Sequence, residues 1–371
     1  MLRSGAGHPD ADQSEASTSR QRSPEEEAQR LYATLNEYLL LEHKTQPKLC
    51  LPAESEVGSN GEVTIGARDG AAHVLRCLKV WFDLPADVLI NAINLFDRFL
   101  TKMKVRPCHV PCITVSCMNI ALEQYAADTN TKRSISVEEL VSISQSACTA
   151  GDVCRMSRVL GDKLSLAGGA RATALDWLRL LRAMLLLHAA HAGDALPAAC
   201  QEEELVQLLE IVCCDAACVN TRTSELALVL LYYKLEQQLA EWSLAEGDES
   251  GAVPEHAYYL FDFARQLQLH CHMNESSLTH ARARVRHAVS RYERCEARRD
   301  QRQRLVWRLS ERTLKVLRPT DRLTSLLPTI EEQHFAVDAT PTRNRLGSES
   351  SENEETSDWP RSPVLPVYCD N

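Results

Sequence analysis

The chain has 371 residues, 44% of them apolar, enough for two ordinary domains with tails. Its formal net charge of −10 argues against a general or sequence-specific nucleic-acid binder, because phosphate binding draws on excess Lys and Arg. No apolar run reaches the roughly 18 residues of a membrane span, so no membrane partner is expected.

Residues 1–23 hold Ser, Gly, Arg and Asp with little to bury, and are expected to be disordered. They lack the apolar stretch of a signal peptide, which places the chain in nucleus and cytoplasm with its 14 cysteines as reduced thiols. A first helix is predicted over Pro24 to Leu41. Its early glutamates suit the positive end of the helix dipole, and Leu31, Leu35 and Leu39 share one face. Residues 43–64, with Pro47, Pro52, Gly58 and Gly61, read as a linker.

From Ala67 to Ala297 helix follows helix. Leu89, Ala92, Ile93, Phe96, Phe99, Leu100 and Met103 recur at three- and four-residue steps, with Pro85 tolerated at the first turn. His109 to Ala126 is apolar nearly all round, so it should be a central buried helix. Ser136 and Glu139 form a capping box that opens a helix to Ala147. Thr149 to Leu164 follows, and Gly168-Gly169 ends the group. A second group is predicted over 173–190, 201–219, 223–242, 255–269 and 275–297, with Gly247, Gly251 and Pro254 in a loop. Residues 291–322 are basic, and the charge turns acidic beyond Thr329.

Signals for chemistry are few. Cys213, Cys214 and Cys218 lack the spacing of a paired metal site and read as core, like Cys77, Cys112 and Cys117. His270-Cys271-His272 falls between two helices and reads as a surface loop. Asp97 and Glu123 suggest no acid–base pair, and neither a phosphate-cradling Gly loop nor a nucleophile elbow is present. No cofactor and no enzymatic activity are expected.

Residues 91–104, Asn-Ala-Ile-Asn-Leu-Phe-Asp-Arg-Phe-Leu-Thr-Lys-Met-Lys, resemble the second helix of a cyclin box, most specifically at Asp97-Arg98-Phe99-Leu100. Arg106-Pro107-x-His109, Ser116-Cys117, Ile143-Ser144-Gln145 and Arg155-Met156 look like cyclin G. Gln303 to Leu309 and Asp358-Trp359-Pro360-x-Ser362-Pro363 resemble the C-terminal extension of the insect members. The resemblance covers about residues 28–371. It implies an all-α cyclin fold of two stacked five-helix lobes with disordered N- and C-terminal tails, and a role in cell-cycle and growth control. It also implies that Arg68 and Asp97 are the buried pair tying the first helix of the box to the second. Two positions depart from the family. A lysine that grips the partner kinase falls at Glu123, and a glutamate falls at Ser157. The docking patch is eroded too, reading Ala67-Arg68-Asp69-Gly70-Ala71, with Val74 in the place of a tryptophan.

Leu327-Pro328-Thr329-Ile330-Glu331-Glu332 fits the Leu-x-x-Ile-x-Glu pattern read by B-prime regulatory subunits of protein phosphatase 2A. Leu327 and Ile330 would enter two apolar pockets, Glu332 would meet basic side chains, and Pro328 limits the entropy lost on docking. The basic segment Arg298 to Arg318 reads as an extra helix on the second lobe, with an acidic-partner helix or a nuclear-import signal as alternatives. Ser23, Thr340 and Ser362 precede prolines and are candidate phosphorylation sites, and Ser348 to Ser357 suits acidophilic phosphorylation.

The expected organisation is therefore a tail over 1–23, a helix and linker over 24–64, a cyclin box over 65–168 and a second lobe over 169–297. A basic helical extension over 298–325 and an acidic tail with the phosphatase motif over 326–371 complete it. The expected function is a non-catalytic adaptor that binds a kinase or other regulator through its lobes and the phosphatase subunits through its tail. The alternatives are an activating subunit of a cyclin-dependent kinase, and a nuclear transcription or chromatin cofactor.

Overall fold

Polar residues at the helix starts punctuate the chain, and apolar faces then decide which helices meet. The computed structural model describes residues 23–53, 62–132, 135–166, 172–191, 200–245 and 255–299. Among them it contains helices and no strand. The first lobe is α2 (Ile65–Trp81), α3 (Ala86–Lys102), α4 (Val110–Asp128), α5 (Val137–Ser144) and α6 (Ala150–Leu164), preceded by α1 (Pro24–Thr45). The second is α7 (Ala174–His191), α8 (Glu202–Cys213), the short α9 (Ala216–Val219), α10 (Thr223–Ala245), α11 (Glu255–His270) and α12 (Glu275–Arg299).

Capping boxes open α1 (Ser23 with Glu26), α5 (Ser136 with Glu139) and α6 (Thr149 with Asp152). Each box satisfies backbone N–H groups that the first helical turn leaves without a partner. Helix α4 is buried along most of its length and forms the axis of the first lobe, as its apolar sequence predicts. Leu75, Leu89, Phe96, Ile113, Met118, Leu140 and Leu160 fill the space around it. The second lobe gathers around Trp177, Leu181, Leu205, Leu228 and Leu231.

Four local readings change. Helix α1 continues to Thr45 rather than ending at Leu41, and α5 stops at Ser144, where Gln145 takes a left-handed conformation (φ 52°). The helix predicted over 201–219 is broken after Cys213, because Asp215 caps a new helix by accepting from the Ala217 N–H at 2.9 Å. The His270-Cys271-His272 segment lies at the turn between α11 and α12 with both histidines exposed, as expected, but it is packed from inside. Cys271 is buried, and His270 Nε2 lies 3.1 Å from Asn36 Oδ1 on α1.

Helix α1 belongs by packing to the second lobe. Its Leu31 and Leu35 join that lobe's core, and Tyr38 meets Trp177 edge-on at 5.6 Å. Glu42, only 3% exposed, extends the same apolar stripe. A bare carboxylate there would be costly, so it is met by donors at the start of α10. Its Oε1 accepts from the Ser224 N–H at 2.7 Å and the Thr223 hydroxyl at 3.0 Å. Its Oε2 accepts from Arg222 Nη2 at 2.7 Å and Nε at 3.1 Å. Gln46 continues the clamp: its amide donates to the Thr221 carbonyl at 2.8 Å, and its Oε1 accepts from the Thr223 N–H at 3.1 Å.

The lobes are joined by charged side chains. Arg179 on α7 pairs with Asp87 on α3 and Glu202 on α8. Lys79 on α2 meets the buried Glu210 on α8 at 2.9 Å. Arg76 donates to the Tyr292 hydroxyl at 3.1 Å and lies over its ring. The most enclosed tie is Arg68, 1% exposed. Its Nε and Nη2 donate to the Asp97 carboxylate at 2.9 and 2.6 Å, and Nη2 also donates to the Cys213 carbonyl at 2.8 Å. That carbonyl ends α8, so the break after Cys213 leaves an acceptor that an unbroken helix would have used.

Two outcomes follow. Asp97→Ala, which strands a buried guanidinium, lowers stability by about 3–5 kcal/mol, read from chemical unfolding of the full chain; an unchanged midpoint refutes the structural role. Glu42→Ala costs about 1–3 kcal/mol, removing a buried acceptor from several donors. Amide exchange across 24–45 then rises ahead of exchange in α4; equal rises in both would mean that α1 is not clamped separately.

Candidate partner-binding surface

Arg68 and Asp97 are brought together as the sequence reading expected. Burial alone would lower the affinity of Arg68 for its proton, but Asp97 and then Asp69 reverse this and hold its pKa above the usual arginine value. Asp69 sits 3.1 Å from Arg68 Nη1. Burial pushes its carboxyl up to about 6 in spite of the guanidinium. The pair is a scaffold: nearly fully buried, it acts to fix α2 against α3.

Glu123 and Ser157 also meet, through a residue the sequence reading passed over. The Asn119 amide on α4 donates to Glu123 Oε1 at 3.0 Å and to Ser157 Oγ on α6 at 3.3 Å. One turn earlier, the Ser116 hydroxyl reaches the Cys112 carbonyl at 2.8 Å and the Val153 carbonyl at 3.3 Å. Position 116 therefore pairs with 153 and 119 with 157, so α4 and α6 run parallel in register. The seam ends at an outward-facing carboxylate, Glu123, with a half-buried hydroxyl, Ser157, beside it. The surface therefore carries a negative charge at Glu123 and a neutral group at Ser157.

Beside this seam, Arg98 and Lys102 on α3 donate to the carbonyls of Leu164 (3.4 Å) and Lys163 (3.0 Å) at the end of α6. Cations suit the negative end of a helix dipole. On α2, Ala67 and Val74 are half-buried against the first-lobe core, while Arg68 and Ala71 are buried. In its first two turns this helix offers outward the small residues Gly66, Ala67 and Gly70, with Ile65 and Val80 exposed at its ends. At about 25 cal/mol per Å², such a face contributes little docking energy.

Ser23 caps α1, its hydroxyl accepting from the Glu26 N–H at 3.2 Å. Leu327, Ile330, Glu332, Thr340, Ser362 and the basic segment beyond Arg299 lie outside the described residues, and Arg298 and Arg299 end α12. Among the described residues no cluster of His, Cys, Asp and Glu is arranged for a metal, and no helix is long and apolar enough to cross a membrane. Glu42 and Asn119 were missed. Glu42 gave a signal, since it is a charge on the stripe set by Leu31 and Leu35. Asn119 gave one as well, as an amide within an otherwise apolar helix.

Residues 37–167 match the family model of the cyclin N-terminal domain. Over 343 residues the chain is 40% identical to Cyclin G of Drosophila melanogaster, an alignment that takes in 91% of this chain and 57% of the fly protein. The chain thus spans little more than half the length of that relative. It is 28% identical to human Cyclin-G2 over 309 residues, 82% of each chain. It is also 28% identical to human Cyclin-G1 over 312 residues, which takes in 82% of this chain and 96% of that one. The similarity runs through the helices that Arg68 and Asp97 lock together, and with it the chain takes its place in the cyclin G family.

Proposed function

We propose that this cyclin-box protein is a non-catalytic adaptor in cell-cycle and growth control, acting in nucleus and cytoplasm. Its lobes hold a kinase or other regulator, and the segment holding Leu327, Ile330 and Glu332 recruits B-prime regulatory subunits of protein phosphatase 2A. The observation that carries this reading is the seam at Asn119. The family's lysine and glutamate, which grip an activated kinase, are here Glu123 and Ser157, tied to each other's neighbourhood by one amide. A carboxylate in place of a lysine repels what the lysine attracts, and reversing a charge contact weakens association by electrostatics alone. The scaffold that displays the lobes is kept while the grip is changed, the pattern expected of a lobe that binds without activating.

The phosphatase half of the proposal rests on the sequence Leu327-Pro328-Thr329-Ile330-Glu331-Glu332. Two apolar anchors one turn of extended chain apart, followed by an acid, suit two pockets beside a basic rim. Tethering then works by effective concentration, which reaches millimolar for short flexible links. A second reading, kinase activation, is favoured by the intact Arg68–Asp97 pair, which keeps the first lobe in the shape an activator needs.

Two measurements separate these readings. Leu327→Ala with Ile330→Ala abolishes capture of a purified B-prime subunit by the full chain, since each anchor is worth about 1.5–3 kcal/mol when buried; undiminished capture removes the phosphatase half. Glu123→Lys with Ser157→Glu raises binding of a cyclin-dependent kinase above that of the natural chain. Strong kinase stimulation by the natural chain, unaffected by either change, gives the second reading preference.

A further inference from the structure

Helix α12 sorts its charges by face. His280, Arg284, His287, Arg291 and Arg294 recur at steps of four and three residues, which sets them in one line along the helix. Leu278, Ala281, Val285, Ala288 and Val289 form the face turned into the lobe. His280, Arg284, His287 and Arg294 are exposed, and Arg291 is half-buried. Glu275 and Glu293 fall well round the helix from the line. We propose that this basic line is an intramolecular docking surface for the acidic segment Ser348 to Asp358 of the same chain.

The lobe itself does little to neutralise the line. Arg284 donates to the Thr221 hydroxyl at 3.2 Å and Arg294 to the Ser290 carbonyl at 3.1 Å, both uncharged acceptors. Arg291 reaches a carboxylate, Asp215 at 3.7 Å, and its charge also acts on Asp69. The arginines on the other side of α12 are treated differently. Arg282 and Arg286 share Glu236, at 3.6 and 2.7 Å. Among the described residues, then, Arg284 and Arg294 form no ion pair, and they flank the partly matched Arg291.

Charge, spacing and connection select the occupant. Glu349, Glu352, Glu354, Glu355 and Asp358 fall in the segment, with no Lys or Arg among them. Arg284 to Arg291 covers about 10.5 Å of helix axis, and an extended chain from Glu349 to Glu352 covers about 10 Å. The chain leaves α12 at Arg299, and the stretch from there to Ser348, at up to about 3.3 Å per residue, is far longer than the helix it must return along. Exposed ion pairs are individually weak, so the contact depends on both sides belonging to one chain, where effective concentration replaces affinity. An acidic segment of a separate protein lacks that advantage. Docking closes residues 300–347 into a loop that contains Leu327 to Glu332, and the bearing of that loop on phosphatase capture rests on the function proposed above.

The test digests the full chain with a glutamate-specific endoprotease and needs no phosphatase. Mass spectrometry follows cleavage after Glu349, Glu352, Glu354 and Glu355, with cleavage after Glu331 and Glu332 as the internal reference. Docking shields the acidic segment, so Arg284→Gln with Arg294→Gln speeds its cleavage relative to the reference by about threefold or more. Salt raised from roughly 50 to 500 mM does the same to the natural chain, because exposed charges are screened. Arg286→Gln, which removes a charge from the Glu236 side of α12, leaves the ratio unchanged. Circular dichroism confirms that each variant is folded, and the single changes at Arg284 and Arg294 replace the double variant if it unfolds. Equal ratios in the natural chain and the Arg284 and Arg294 variants overturn the proposal, as does an equal rise in Arg286→Gln. So does a rise confined to Arg304→Gln with Arg308→Gln, which would mean that the acidic segment pairs with the basic stretch beyond α12.

Discussion

The organisation of the protein depends on one enclosed guanidinium. A guanidinium carries several N–H donors in a fixed planar fork and stays charged, so burying it demands acceptors from more than one direction. Asp97 takes the fork, Asp69 takes a third nitrogen, and the Cys213 carbonyl takes the remaining direction. These acceptors come from α3, from α2 itself and from the end of α8. A single side chain therefore fixes the angle between the first two helices of the box and also bonds to the second lobe. Its geometry, more than its net energy, is what the rest needs, because buried ion pairs yield little stability but are exacting about position.

A second enclosed charge organises the opposite end of the molecule. Glu42 meets the buried Ser224 N–H at the start of α10, the place where a helix dipole most favours an anion. The apolar face of α1 alone would let it slide along α7, because hydrophobic contact has no direction. The carboxylate and the adjoining Gln46 remove that freedom, so α1 acts as part of the second lobe although it precedes the first in the chain. Both charges work alike: an apolar surface brings elements together and one buried ionic group decides their register.

With the frame held from inside, the outer surface is free to vary. The Asn119 seam shows this, since Ser116 and Asn119 tie α4 to α6 from within while the Glu123 carboxylate beside them faces outward. Small residues along α2 reduce what a peptide could bury there. A cyclin lobe can thus keep its fold and alter its partners, because the residues that fix the one are enclosed and those that meet the other are exposed.

The sequence by itself determined the helical class, the places of the helices, the central burial of α4 and the capping box at Ser136. All of these depend on neighbours within a turn or two, which periodicity and capping chemistry record. Resemblance in residues 91–104 added the pairing of Arg68 with Asp97. Only the tertiary structure decided that α1 docks on the second lobe, that the helix over 201–219 breaks so that the Cys213 carbonyl can meet Arg68, and that Asn119 gathers Glu123 and Ser157. It likewise set His270, at the turn after α11, against Asn36 of α1 and buried Cys271 beside it. Each of these joins residues far apart in the chain, and an acceptor such as a backbone carbonyl has no letter in the sequence, so its partner is visible only once the helices have been packed.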